Sequence, residues 1–297
     1  MAPASSAQQK SLIAQFVTLT GASDRQASRY LRQAGYKIND AVDSFFASGN
    51  EPKGVSPVET KLENLFNSLR GEPPFQQANF NQPTLATNRS CIDEENDDAD
   101  KLEISSTMDY LGGKLQVDLE NAELLVILEL LQAPNVGEIT RRGFVDGWKA
   151  AGVGAAHQEH AAHVRKLISS LSSDLVLFKR VYRYTFVVGR DQDQKALSLE
   201  NALIYWGMLF APPGREWKTK KHDWFELWKQ FLDEKWTRSV NRDMWNMTLE
   251  FALKTTADES LSFWNEDGAW PSVIDDFVLW SRDKVLEKSE SMDTSNA

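Results

Sequence analysis
All ten tryptophans of this 297-residue chain lie at or after Trp148. An indole buries more area than most side chains, so the main packed body is expected in the second half. The earlier residues must be organised around smaller groups. Apolar spacing is helical almost throughout. Asn121 to Leu131 is nearly continuously apolar, through Leu124, Leu125, Val126, Ile127, Leu128, Leu130 and Leu131. That run is too short to span a bilayer and predicts a helix buried on all sides, ended by Pro134. Thr140 opens the next helix, which carries Phe144, Val145 and Trp148. The same spacing predicts helices over 160–172, 175–188, 198–210, 217–235, 241–254 and 271–288. Ser198 suits an N-cap, and Pro212-Pro213 bars further helix. Upstream, 58–70 is amphipathic through Leu62, Leu65, Phe66 and Leu69. Ile104, Met108, Leu111 and Leu115 predict one short helix. Long runs of alternating β-branched residues are missing, so the fold class is all-α.

Charge divides the chain further. Residues 1–50 carry five basic and three acidic side chains, 51–100 carry four and ten, and 101–297 carry 24 and 30. The middle block holds Pro73, Pro74, Pro83 and the acidic run Asp93 to Asp98, with few apolar anchors. About 71–100 is therefore expected to be a solvated polar insertion. A net charge of -10 argues against nucleic acid or an anionic membrane as the main partner. No run of 18 apolar residues occurs. The opening MAPASSAQQK lacks the apolar stretch of a secretory signal, so a cytoplasmic or nuclear address is expected.

Catalytic constellations are scarce. The one cysteine, Cys91, excludes an internal disulfide and sits beside the acidic run. Neighbouring carboxylates raise a thiol pKa, the wrong direction for a nucleophile. His157, His160 and His163 fall in one short stretch, but the order is not H-E-x-x-H, and His163 points away from His157 on a helix. The group reads as a solvated helix start. Asp191 and Asp193 resemble a calcium-loop opening, yet Ala196 and Ala202 stand where such a loop needs Gly and Glu. Phosphate-cradling and dinucleotide fingerprints are missing. No cofactor and no metal are expected.

Residues 8–50 predict a three-helix module. Leu12, Ile13, Phe16, Val17 and Leu19 share one face; a second helix runs Asp24 to Gln33 through Ala27, Tyr30 and Leu31. A third starts near Asn39-Asp40 with Ala41, Val42, Phe45 and Phe46. This pattern resembles a ubiquitin-associated (UBA) domain. The resemblance implies ubiquitin contact by the first loop, here Thr20, Gly21, Ala22 and Ser23, and by Asp43 and Ser44 on the last helix. The usual loop methionine is absent, and the same residues read equally as ordinary loop and exposed helix.

Two C-terminal stretches carry more identity: NRDMWNMTLEF at 241–251 and DGAWPSVIDDFVLW at 267–280. Together they resemble the potentiating-neddylation (PONY, or DCUN) domain of the defective-in-cullin-neddylation family. KLENLFNSLR at 61–70, GEITRRGFVDGW at 137–148, FKRVYRYTF at 178–186, LSLENALIYWGMLF at 197–210 and WKQFL at 228–232 agree. The resemblance spans 57–285, interrupted by the acidic insertion, with 286–297 as a tail.

The resemblance implies a scaffold-type ligase without a nucleophile of its own. It would promote neddylation of cullins by holding the cullin C-terminal winged-helix region and the neddylation conjugating enzyme together. The RING subunit of cullin ligases and a ubiquitin-like modifier are further implied partners. The family's cullin patch maps onto Asp243, Ala269 and Asp275. Read from the residues alone, Asp243 and Asp275 equally suit acidic positions in first helical turns. The family's hydrophobic pocket for the acetylated N-terminus of the conjugating enzyme lies within about 102–190. Its candidates are Ile104, Leu125, Leu128, Ile139 and Phe144, each of which also reads as plain core. A different class of function, a ubiquitin-binding adaptor without a transfer role, rests on the first module.

Overall fold
The computed structural model describes residues 24–48, 56–70, 98–191 and 193–294, with isolated positions between 9 and 22. The expected insertion up to residue 97, including Cys91, lies outside the described residues. The chain forms two compact units, Met1–Lys61 and Leu62–Ala297.

In the smaller unit, residues 12–13 and 15–17 are helical and precede α1 (Asp24–Gln33) and α2 (Ile38–Ala47). Phe16, Ala27, Leu31, Ala41 and Phe45 close its core. Phe45 lies edge-on to Phe16 and Tyr30, with centroids 5.6 and 5.2 Å away. Such ring pairs add to plain burial, which matters in a core this small. Helix α1 stops where Gly35 and Tyr36 take φ of +60° and +63°. The Tyr36 amide then donates to the Leu31 carbonyl at 2.7 Å, a Schellman-type closure.

The unit boundary falls within α3 (Pro57–Leu69), whose Leu62 and Phe66 belong to the larger unit. There follow β1 (Lys101–Leu102), α4 (Ile104–Met108), a π-helical turn (Asp109–Lys114), α5 (Ala122–Leu130), β2 (Ile139–Thr140), α6 (Arg141–Ala150) and α7 (His157–Ser170). Then come α8 (Leu175–Val188), α9 (Leu199–Leu209), α10 (Trp224–Lys235), α11 (Arg242–Ala257) and α12 (Ser272–Thr294). Strands β1 and β2 form one antiparallel pairing, Leu102 opposite Ile139. The fold is all-α apart from this ribbon. Among the described residues, no helix is long and apolar enough to cross a membrane.

Helix α5 explains the architecture. Its Leu124, Ile127 and Leu128 enter one core with Leu62, Phe66, Phe144 and Trp148. Its Leu125 and Val126 enter a second core with residues of α8 to α12. A helix apolar on all sides needs cover on all sides, and α5 is the wall shared by both cores. The second core gathers the indoles other than Trp148. Trp206 and Trp245 stack at 5.1 Å. The Tyr182 hydroxyl donates to the Trp245 carbonyl at 2.8 Å and accepts from Trp206 Nε1 at 2.7 Å. Trp245 Nε1 donates to the Tyr182 carbonyl at 3.0 Å. The polar edges of Tyr182, Trp206 and Trp245 therefore each keep a partner inside the core.

Several helix boundaries differ from those the spacing predicts. Ile104 to Leu115 is α4 followed by the π-helical turn, where the Leu115 amide reaches back to Tyr110 at 3.0 Å. The wider turn lets the adjacent Tyr110 and Leu111 both be fully buried. The helix expected from Trp217 begins at Trp224. Residues 218–223 turn back on themselves, and Asp223 caps α10 by accepting from the Glu226 amide at 3.1 Å. Helix α12 continues to Thr294, since no Gly or Pro interrupts 272–294.

Candidate functional site
The three residues of the proposed cullin patch sit at the starts of the last two helices. Asn241 caps α11, its side chain accepting from the Met244 amide at 2.8 Å. Asp243 follows in the first turn and is exposed, where a carboxylate complements the positive helix end. Ala269 is exposed in the segment leading to α12. Beside it, Trp270 packs edge-on against Phe251 of α11 at 5.6 Å and Phe263 at 6.0 Å. Gly268 turns tightly there, and an added Cβ would meet the Asn265 carbonyl oxygen at 2.9 Å. The Pro271 carbonyl accepts from the Ile274 amide at 2.8 Å, so Pro271 precedes the first helical residue rather than occupying it.

Asp275 is half-buried, and its Oδ1 accepts from Trp264 Nε1 at 2.8 Å. The Arg282 guanidinium lies over the same indole, 4.8 Å from its centroid. Ala269 and Asp275 thus share one junction, packed on Phe251 through Trp270. Asp243 comes from the first turn of that same helix α11. Trp264 and Arg282 were invisible to pattern reading, because an indole hydrogen bond across eleven residues of irregular chain leaves no periodic signal.

The pocket candidates separate. Leu128, Ile139 and Phe144 are fully buried in one core, and Leu125 is buried in the other. Only Ile104 is open, at 67% exposure. It lines a recess of about 620 Å³ with Val136, Val188, Asn201 and Tyr205. Of the residues assigned to ubiquitin contact, Thr20 and Ala22 are interior. Thr20 Oγ1 donates to the Phe16 carbonyl at 2.7 Å and accepts from the Ala22 amide, which closes the first helix. Asp43 and Ser44 are exposed on α2. Gly21 and Ser23 lie outside the described residues.

The histidine group is not the solvated helix start that its spacing suggests. His160 is fully buried and stacks on Trp148 at 3.8 Å. Its Nε2 lies 2.7 Å from the Gly154 carbonyl, an acceptor, so Nε2 carries the proton. Nδ1 then accepts from the Tyr110 hydroxyl at 2.8 Å. Burial lowers the His160 pKa to about 4, which keeps this neutral tautomer in place. Both ring nitrogens are thereby committed to internal hydrogen bonds.

Two family models match the chain: one described as "Cullin binding" over residues 159–280, and one described as "UBA-like domain" over residues 10–52. The chain is 37% identical over 298 residues to "Defective in cullin neddylation protein 1" of Pyricularia oryzae, covering 97% of this chain and 98% of that relative. It is 30% identical over 336 residues to the protein of that name in Mycosarcoma maydis, covering 98% and 99%. To "DCN1-like protein 5" of Homo sapiens it is 32% identical over 166 residues, covering 56% and 65%.

Proposed function
The chain belongs to the defective-in-cullin-neddylation family, and from that premise we propose that it acts as a scaffold-type ligase component that holds a cullin and the neddylation conjugating enzyme together. A role in cullin neddylation follows from the family. The scaffold mechanism is the further step. Holding the acceptor lysine and the conjugating enzyme's thioester in one complex turns a bimolecular encounter into an effectively unimolecular one. The observation that carries the reading is near full-length similarity to proteins so named, together with the exposed Asp243 and Ala269 inside the cullin-binding match.

The winged-helix region of the cullin would bring a basic face to Asp243 and Asp275, with Ala269 small enough for close approach. Such pairing favours fast, salt-sensitive association. The conjugating enzyme's N-terminus would occupy a recess, and Ile104 is the candidate that opens onto one, with a mixed lining that includes Val136, Tyr205, Glu138 and Arg190. The RING subunit would enter through the assembled cullin complex. In reconstituted transfer, Asp243→Ala with Ala269→Arg and Asp275→Ala should slow cullin modification at least tenfold while helix content is retained. Unchanged transfer by that folded variant would overturn the reading.

A second reading, a ubiquitin-binding adaptor, is favoured by the UBA-like match over residues 10–52 and by the exposed Asp43 and Ser44.

A further inference from the structure
Two neighbouring recesses on the larger unit, of about 620 and 670 Å³, share Glu129, Gln132 and Arg180. They join into one groove that runs from α6 and α7 across α8 to the start of α11. One half is lined by Leu130, Ala150, Ala151 and Leu167, with Arg142 beside them. The other half is lined by Lys179, Arg180, Arg183 and Arg242, with Val176 there 77% exposed.

The charge along this groove is predominantly positive, and in its first half Asp146 pairs with Arg142 at 3.4 Å. Glu129 holds Arg180 at 2.8 Å, and Glu250 holds Lys179 at 3.0 Å and Arg183 at 3.7 Å. Two carboxylates therefore face four cations on α8 and α11. Arg242 lies over the Phe186 ring at 5.6 Å, a contact that orients the guanidinium without neutralising it. The positive end of α11 adds to the same field. Glu129 is only 6% exposed, and burial raises its carboxyl pKa against the pull of Arg180. It fixes that guanidinium where the two recesses meet. A chain of net charge -10 thus carries one cationic, partly apolar channel.

We propose that this groove docks an extended acidic peptide segment of a partner protein. Its carboxylates meet Lys179, Arg183 and Arg242, and an aliphatic side chain seats against Ala150, Ala151 and Leu167. Guanidinium forks suit carboxylates because two parallel N–H groups match two oxygens. The apolar half distinguishes this occupant from a nucleic acid, which would want aromatic platforms rather than Ala and Leu. The groove uses none of Asp243, Ala269 and Asp275, so it stands or falls apart from the proposed cullin patch.

The test is fluorescence anisotropy with a labelled eight-residue peptide alternating Glu and Leu, and full-length protein. Binding should weaken at least tenfold in Lys179→Glu with Arg183→Glu, and should also weaken with added salt. Ala151→Trp, which fills the apolar half and keeps every charge, should weaken it several-fold. The charge-matched control Arg25→Glu with Arg29→Glu, on the smaller unit, should bind as the unaltered protein does. Circular dichroism confirms that each variant is folded. Equal binding of the Lys-for-Glu peptide, equal weakening by the control pair, or tighter binding of a single-stranded oligonucleotide would each overturn the proposal.

Discussion
Trp264 shows how much of the proposed cullin patch can depend on one residue outside it. Its indole N–H is the donor that fixes Asp275, and its ring is covered by Arg282. Trp264→Phe keeps an aromatic ring but removes the donor together with the five-membered part of the indole. A hydrogen bond to a charged group is worth about 1.5–3 kcal/mol when buried, and a half-buried one about 1 kcal/mol. Cullin affinity of Trp264→Phe, measured by calorimetry, should therefore fall roughly fivefold with little change in helix content. Unaltered affinity would show that Asp275 needs no positioning. Local residue roles were legible in the sequence where the partner is three residues away: Ser198 accepts from the Asn201 amide at 3.1 Å and Thr140 from the Gly143 amide at 3.0 Å. Trp264 and His160 were not, since their partners come from irregular or distant chain.

Among the elements, α6 approaches the C-terminal end of α5 closely. An added Cβ at Gly143 would meet the Leu131 carbonyl oxygen at 2.2 Å, and one at Gly147 would meet the Leu130 carbonyl oxygen at 2.6 Å. Both obstacles are backbone, so no side chain can swing aside. Gly143→Ala should destabilise the larger unit by about 1–3 kcal/mol in urea unfolding, despite alanine's better helix propensity. A stabilised variant would mean that α6 can slide at no cost. The continuous apolar run made α5 legible as a helix covered on all sides. The start of α10 was not legible, because Trp217 is buried and at helical spacing but belongs to the turn before it, its Nε1 donating to Thr255 at 2.7 Å. Burial periodicity reports which residues face a core and not whether the backbone between them is helical.

At the scale of the whole molecule, the division into Met1–Lys61 and Leu62–Ala297 separates the two candidate activities. Removal of residues 1–50 should leave at least half of the cullin-modifying rate in reconstituted transfer and abolish any ubiquitin retention. Loss of transfer in a folded truncation would instead place the small unit within the ligase function. The tryptophan asymmetry made this two-part organisation legible, and the helical periodicity gave the all-α class. The groove of Lys179, Arg183 and Arg242 was hidden, because it depends on α5, α8 and α11 being brought side by side.

The same asymmetry gives the protein a built-in optical label. Every tryptophan lies in the larger unit, and Trp148, Trp206, Trp217, Trp228 and Trp245 are almost completely shielded from water. Indole emission therefore reports only on the helical body and is blind to the small unit, whose chromophores are Tyr30 and Tyr36. The near-parallel Trp206 and Trp245 rings, inclined by 12°, should couple as an exciton pair in near-ultraviolet circular dichroism. Melting of the larger unit can thus be followed by itself in the intact chain, without attaching a dye.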